Sequence, residues 1–178
     1  YPKGDTIKFL FMGRVMAEKG IDELFIAMQK LVSDGIKCEL DVLGRYEENY
    51  KEQIHKYAEE GWLHYYGYQE DVRPFIEKCH CFVLPSWHEG MANTNLESAA
   101  SGRPIITSNI HGCMEAVIEN KSGFLVEKKN AEELYMAMKK FACLPYEERL
   151  KMGVLARKHM ENVFDKKIVV KETITKLL

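Results

Sequence analysis

The sequence has no apolar run approaching the roughly 18 residues that span a bilayer, and no signal-peptide pattern opens it. It has no excess of one charge either. Its 25 basic and 27 acidic residues leave a formal net charge of −2, which offers no electrostatic footprint for a nucleic acid. No G-x-G-x-x-G follows a strand-like run, so dinucleotide redox chemistry loses its main signal, and the absence of G-x-x-x-x-G-K-[ST] excludes a P-loop NTPase. No Asp-x-Asp pair is present to hold a metal on a diphosphate, and no Ser or Cys nucleophile stands in order with a base. Internal repeats, low-complexity tracts and linkers are also missing. The five cysteines form an odd, scattered set. Cys79-His80-Cys81 lacks a second ligand pair at zinc spacing, so the cysteines read as buried thiols of a reduced compartment, the cytoplasm by default.

What is present is an ordinary globular composition, 46% apolar and 29% charged over 178 residues, enough for one sizeable core. The first residue is Tyr1, not Met, so the chain is expected to begin inside a longer protein. Strand-like runs at Ile7–Met12, Lys37–Leu43, Trp62–Tyr66, His80–Pro85, Pro104–Thr107 and Gly123–Glu127 alternate with helical periods. The helices are expected over about 20–34, 48–60, a short stretch from Asp71 and a further one from Asn93, with a helical turn over about 113–119. Beyond residue 130 only helical periods remain, over about 130–142, 146–162 and 165–177. Asp71 is expected to cap its helix, and Pro74 fits only in that helix's first turn. Six strands separated by helices predict an α/β fold: a doubly wound, Rossmann-like parallel sheet of order 3-2-1-4-5-6 with C-terminal helices. Residues 1–178 form one domain, of which 143–178 is a helical tail.

Such a sheet binds ligands outside the carboxyl ends of its strands, at the switch point between strands 1 and 4. The loop after strand 1 supplies Arg14 and Lys19 between Gly13 and Gly20; the loop after strand 4 supplies Glu89, Gly90, Met91 and Ala92, then a helix start at Asn93 and Thr94. Free N–H groups and the helix dipole favour an anion there. Arg14 adds a planar fork for phosphate oxygens and Lys19 a mobile point charge. Either cation alone is better read as a solvated loop charge; their place at the switch point reverses that reading. Glu97, about one helical turn on, can accept two hydrogen bonds from the vicinal hydroxyls of a ribose, or act only as a first-turn acid. Glu89 faces the space beyond the phosphates, where it could bind sugar hydroxyls or stabilise positive charge at an anomeric carbon, or stand as a solvated acid. Arg45 and Tyr68 lie at the carboxyl ends of strands 2 and 3, within reach of a base; surface packing explains them equally well. His88 and His111 sit in crevice loops without a nucleophile to serve.

Gly13-Arg14 with Lys19-Gly20, Val42-Leu43-Gly44, Phe82-Val83-Leu84-Pro85-Ser86, Glu89-Gly90 with Glu97-Ser98-Ala99, Gly102-Arg103-Pro104-Ile105-Ile106 and Gly123-Phe124-Leu125-Val126 follow one another in this order. In that order the chain resembles the C-terminal, donor-binding half of a retaining glycosyltransferase of family 4 with the GT-B fold. The match runs over about residues 7–142. The resemblance implies a nucleotide-diphospho-sugar donor, no further cofactor, no metal and retention of anomeric configuration. It matches Arg14 and Lys19 to the diphosphate, Glu97 to the ribose and Glu89 to the acidic residue near the donor sugar, the catalytic candidate. It further implies an acceptor domain N-terminal to this chain, without which the fragment is expected to be inactive. Cys79-His80 departs from the family's usual Ala-Asp, a change that bears on packing. The stretch from Thr107 to Glu115 looks like members that use UDP-linked hexoses or N-acetylhexosamines in bacterial surface polysaccharide synthesis, on a glycan or lipid-linked acceptor. Peripheral association of the parent protein with the inner face of the cell membrane stays open. So do a sugar-nucleotide epimerase or glycan phosphorylase of similar fold, and a non-catalytic nucleotide-binding module.

Overall fold

A computed structural model describes residues 1–165, 167, 169–170 and 174–175. The strands are β1 (Ile7–Met12), β2 (Cys38–Leu43), β3 (Leu63–Gly67), β4 (Cys81–Leu84), β5 (Ile105–Ser108) and β6 (Gly123–Val126). The helices are α1 (Ile21–Ser33), α2 (Lys51–Glu59), α3 (Arg73–Lys78), α4 (Asn93–Ala100), α5 (Ala131–Ala142) and α6 (Tyr146–Val163). The six strands form one sheet of order β3-β2-β1-β4-β5-β6, and every pairing is parallel. This is the expected order, and with the C-terminal helices it makes one half of a GT-B fold. Right-handed crossovers place α1 and α2 on one face and α3 and α4 on the other. α5 then packs on α1, and α6 on α4.

Coverage of both faces is why the central strands read as continuous apolar runs rather than alternating ones. Every residue of β4 and β5 is buried, and β1 has a single half-buried position, Lys8. Phe9 on β1 meets Phe141 on α5 with ring centroids 6.1 Å apart. Each such fully buried phenyl contributes about 2–3 kcal/mol of transfer free energy. At the end of α1, Asp34 accepts hydrogen bonds from Tyr135 (2.5 Å) and Lys139 (2.6 Å), which ties the first crossover helix to α5.

The differences from the expected boundaries have local causes. The third strand begins at Leu63 and ends at Gly67, one residue later than its pattern suggested. The fourth begins at Cys81 because His80 turns its ring inward, where Nδ1 accepts the Lys8 N–H at 3.0 Å. Asp71 is not the cap of α3. That position is Val72, and the Asp71 carboxylate takes the Arg73 N–H (3.1 Å) and guanidinium from one residue further out. α2 starts late because residues 45–47 continue beside the β1 loop, joined through Val15 and Tyr46. A short 3-10 turn, Ala17–Lys19, precedes α1, and another, Met114–Ala116, replaces the expected turn over 113–119. The helix expected over 165–177 lies partly outside the described residues.

Candidate functional site

The carboxyl ends of β1, β2 and β3 form the floor of a cavity of about 530 Å³, lined by Gly13, Arg14, Arg45, Tyr68, Gln69 and Thr94 among others. Backbone packs directly on backbone here. The Gly13 N–H donates to Leu43 O (2.9 Å) and the Gly44 N–H to Gly67 O (2.8 Å). At Gly44 (φ +141°) a Cβ would fall 1.8 Å from the Gly13 carbonyl oxygen, so only glycine permits this approach. The loop after β1 turns past β4 in the same way: at Gly20 (φ +72°) a Cβ would lie 2.1 Å from the Pro85 carbonyl oxygen. Arg45 stacks its guanidinium 4.8 Å from the Tyr68 ring centroid, so the two residues read as base-side candidates form one unit. Arg14 is exposed on the rim of the same cavity.

Lys19 and Glu89 meet across 70 residues of sequence. Lys19 Nζ donates to Glu89 Oε1 at 2.6 Å, with 16% and 13% of the two side chains exposed. The ammonium keeps two further N–H groups, enough for phosphate oxygens without releasing the carboxylate. The Glu89 loop is held on several sides. The Ser86 hydroxyl, facing the Glu18 and His88 carbonyls at 3.1 Å each, shares its proton between them, and the Trp87 N–H donates to Glu18 O. The Trp87 indole N–H reaches the buried Glu23 carboxylate at 3.2 Å, while Lys129 Nζ lies 4.0 Å from the ring centroid. Gly112 (φ +87°) presses on the loop from beyond β5, where a Cβ would meet Glu89 O at 2.6 Å.

α4 starts at Ala92 without a side-chain cap. Among the described residues, the N–H groups of Gly90, Met91 and Thr94 have no hydrogen-bond partner, whereas that of Ala92 donates to Gly112 O at 2.7 Å. Gly90, Met91 and Asn93 are exposed, and Thr94 is half-buried against the crevice. Uncapped donors, a helix dipole, Arg14 and Lys19 together suit an anion. Glu97 is exposed and lines a different groove of about 460 Å³, between α4 and α6, with Leu96, Arg157 and Phe164. The structure therefore brings Arg14, Arg45, Tyr68 and Thr94 to one cavity and couples Lys19 to Glu89, with Glu97 on the neighbouring flank.

Three features were not read from the sequence. Asn95 is fully buried under α4, where it donates to Thr107 Oγ1 (3.0 Å) and Cys113 O (3.4 Å). The Glu23–Trp87–Lys129 clamp and the Gly112 contact are the others; an asparagine amid Leu, Ala and Ser on a helix was the available signal for the first. The four buried thiols supply no nucleophile: burial raises Cys81, pushes Cys79 up to about 12 and pushes Cys38 and Cys113 up to about 11, whereas Cys143 is exposed, against the expectation that all five are buried. His111 lies 3.4 Å from Glu115 and is almost wholly exposed.

Sheet order and C-terminal helices together define one half of a GT-B fold. The family model described as glycosyl transferases group 1 matches residues 2–159, and the chain belongs to that family. This match corrects the motif-based assignment to family 4. Short glycine, arginine and glutamate motifs of this kind do not by themselves fix a family. The chain is 29% identical over 145 residues to N,N'-diacetylbacillosaminyl-diphospho-undecaprenol alpha-1,3-N-acetylgalactosaminyltransferase of Campylobacter jejuni, covering 82% of this chain and 37% of that protein. It is also 29% identical over 173 residues to the capsular polysaccharide biosynthesis glycosyltransferase CapM of Staphylococcus aureus, covering 94% and 45%. It thus spans less than half the length of these curated relatives. Among solved structures, S. aureus TarM in a complex that includes UDP superposes with a TM-score of 0.86 at 19% identity, covering 98% of this chain and 36% of that one. Among the described residues, no helix is long and apolar enough to cross a membrane.

Proposed function

We propose that this chain is the donor-binding domain of an enzyme that transfers a hexose or N-acetylhexosamine from a UDP-linked donor to a glycan or lipid-linked acceptor, with retention, in bacterial polysaccharide synthesis. The observation that carries the reading is that Arg14 and Thr94, the latter in the uncapped first turn of α4, line one cavity at the carboxyl ends of the sheet, while the Lys19–Glu89 pair joins the loops that follow β1 and β4 at the switch point. The family membership and the names of the relatives, an N-acetylgalactosaminyltransferase and a capsular polysaccharide transferase, support it.

In this reading Arg14, Lys19 and the N–H groups of Gly90, Met91 and Thr94 bind the diphosphate and meet the leaving-group charge without a metal. Ala92 and Asn93 shape the approach to those donors. Arg45 and Tyr68 take the base. Glu89, held in place by Lys19, faces the donor sugar as the catalytic carboxylate, binding its hydroxyls or stabilising positive charge that develops at the anomeric carbon. Glu97 takes the ribose hydroxyls once its exposed side chain swings from the α6 side to the mouth of the crevice. A second domain outside residues 1–178 presents the acceptor, and α6 is the described part of the tail that begins at residue 143. Closure of the two domains would supply orientation and exclude water, so the chain alone binds donor and does not transfer. The full-length protein works in the cytoplasm, at the inner face of the membrane when its acceptor is lipid-linked.

Calorimetric titration of this chain with UDP, GDP, ADP and CDP, without divalent metal, tests the reading. UDP is expected to bind. Arg14→Ala should weaken UDP by about tenfold or more, the value of one charge-assisted bond, and leave uridine nearly unaffected. Glu97→Ala should weaken both ligands. Equal losses of UDP and uridine in the Arg14 variant would contradict its phosphate role, and no binding of any nucleoside diphosphate would sink the donor reading.

A further inference from the structure

We propose that Asn95 is a positioning residue for the donor crevice, setting the placement of α4 through directional hydrogen bonds rather than through apolar packing. The inference rests on the donor-domain reading for its link to function and on local geometry for everything else. The inner face of α4 fully buries only Asn95, Ser98 and Ala99, and its one large apolar side chain, Leu96, packs half-buried at the edge. α1 by contrast buries Leu24, Phe25, Met28 and Leu31. A helix with so little apolar area on its inner face gains little from burial and can slide or tilt at small cost.

Asn95 supplies what the packing lacks. Its Nδ2 donates to Thr107 Oγ1 on β5 (3.0 Å) and to Cys113 O in the loop beyond (3.4 Å). Thr107 passes its own proton to Leu84 O at the end of β4 (2.7 Å). Four segments thereby meet at one amide: α4, β4, β5 and the loop that carries Gly112. That loop is the one whose carbonyl takes the Ala92 N–H and whose glycine abuts Glu89 O. With the Thr107 proton committed to Leu84, Asn95 is oriented with Nδ2 toward the threonine, which leaves its Oδ1 buried without a partner among the described residues. A buried oxygen left unpaired destabilises the fold. The unpaired oxygen offsets part of what the two donated bonds contribute, so the amide adds direction at this position more than stability.

Stability and placement can be separated by experiment. Asn95→Leu keeps the branched shape and the number of side-chain heavy atoms, removes both donated bonds and removes the orphaned oxygen. Urea denaturation should show stability held or raised. Amide hydrogen exchange at Leu96, whose N–H donates to Ala92 O (3.3 Å) in the first turn of α4, should quicken about tenfold with α5 unchanged. UDP affinity should fall about tenfold, as expected when donors are misplaced by a fraction of an ångström to an ångström. Thr107→Val should reproduce the faster exchange and the weaker UDP binding, with a loss of stability because it removes an acceptor from Asn95 Nδ2, and Thr107→Ser should restore both; this pair carries the test if Asn95→Leu does not fold. Wild-type exchange rates in α4 would overturn the proposal whatever UDP does. Faster exchange with unchanged UDP affinity would also overturn it. Faster exchange in a chain whose wild type binds no UDP would uphold the placement role and refute the donor reading instead.

Discussion

Replacing Lys19 with methionine removes the ammonium from Glu89 while keeping most of the apolar stem. The two groups lie 2.6 Å apart with 16% and 13% of their side chains exposed, so water screens them poorly. Near 4 Å and an effective dielectric of about 20, the attraction between unit charges is about 4 kcal/mol. Desolvation of both groups offsets much of it, so the intact pair adds little net stability. Breaking it is another matter. Glu89 would keep its desolvation penalty without a counter-charge, an expected loss of about 2–3 kcal/mol, somewhat below the ~3–5 kcal/mol of fully buried pairs. Glu89→Gln leaves an amide oxygen that still accepts from Lys19 and should cost about 1 kcal/mol. The Lys19→Met/Glu89→Gln double variant should lose no more than Lys19→Met alone, because no orphaned charge remains. The cycle then shows a coupling of about 1–2 kcal/mol. Urea denaturation of the four proteins at neutral pH reads it directly, and each kcal/mol should also appear as about 2–4 °C in Tm for a chain of this size. A double variant whose loss equals the sum of the singles within ~0.5 kcal/mol would show that the pair does not form in solution. Glu89 would then lack the support given to it above.

His80 sets a pH dependence of its own. Burial, with help from Arg149, Arg103 and Lys8, lowers its pKa from the usual 6.5 to about 4. Between these values the unfolded chain binds more protons, so the contribution of His80 is complete above about pH 6.5 and is lost as pH falls toward about 4. The difference amounts to about 3 kcal/mol at the acid end. Denaturation at pH 7 and 4.5 should show a steeper loss in the wild type than in His80→Gln; parallel losses would assign the acid sensitivity elsewhere. The glycines give a paired test. Gly44→Ala would place a Cβ 1.8 Å from Gly13 O and should cost more than about 3 kcal/mol, whereas Gly35→Ala, also left-handed but with nothing within 4 Å, should cost only about 1–2 kcal/mol. Similar losses by urea titration would refute the close approach at the crevice floor.

The sheet was legible because its information is local and repeated. Runs such as Phe9-Leu10-Phe11 and Phe82-Val83-Leu84, each ending near a glycine or proline and each followed by a helical period, leave few topologies open, and the switch point then follows from strand order. The side chains at that point were legible only as a neighbourhood. That Lys19 turns to Glu89 depends on how two loops fold over Gly20 and Gly112, a tertiary fact that no residue pattern in either loop encodes. Glu97 shows the same limit on a helix. Its distance from the start of α4 was readable, but the rotation of α4 was not, since that is set by Asn95 and Thr107 beneath it. His80 was correctly read as a packing residue, yet its ring bond to the Lys8 N–H needs two strands side by side.

The contact of Gly44 with the Gly13 carbonyl bears on how such a crevice can diversify. Two loops that touch through main chain cannot move apart or be lengthened at that point without opening the floor of the cavity. Variation in what the cavity accepts is therefore channelled into the side chains that rise from this fixed floor, Arg45, Tyr68, Gln69 and Thr94. A library aimed at a new ligand would randomise those four positions and leave Gly13 and Gly44 untouched.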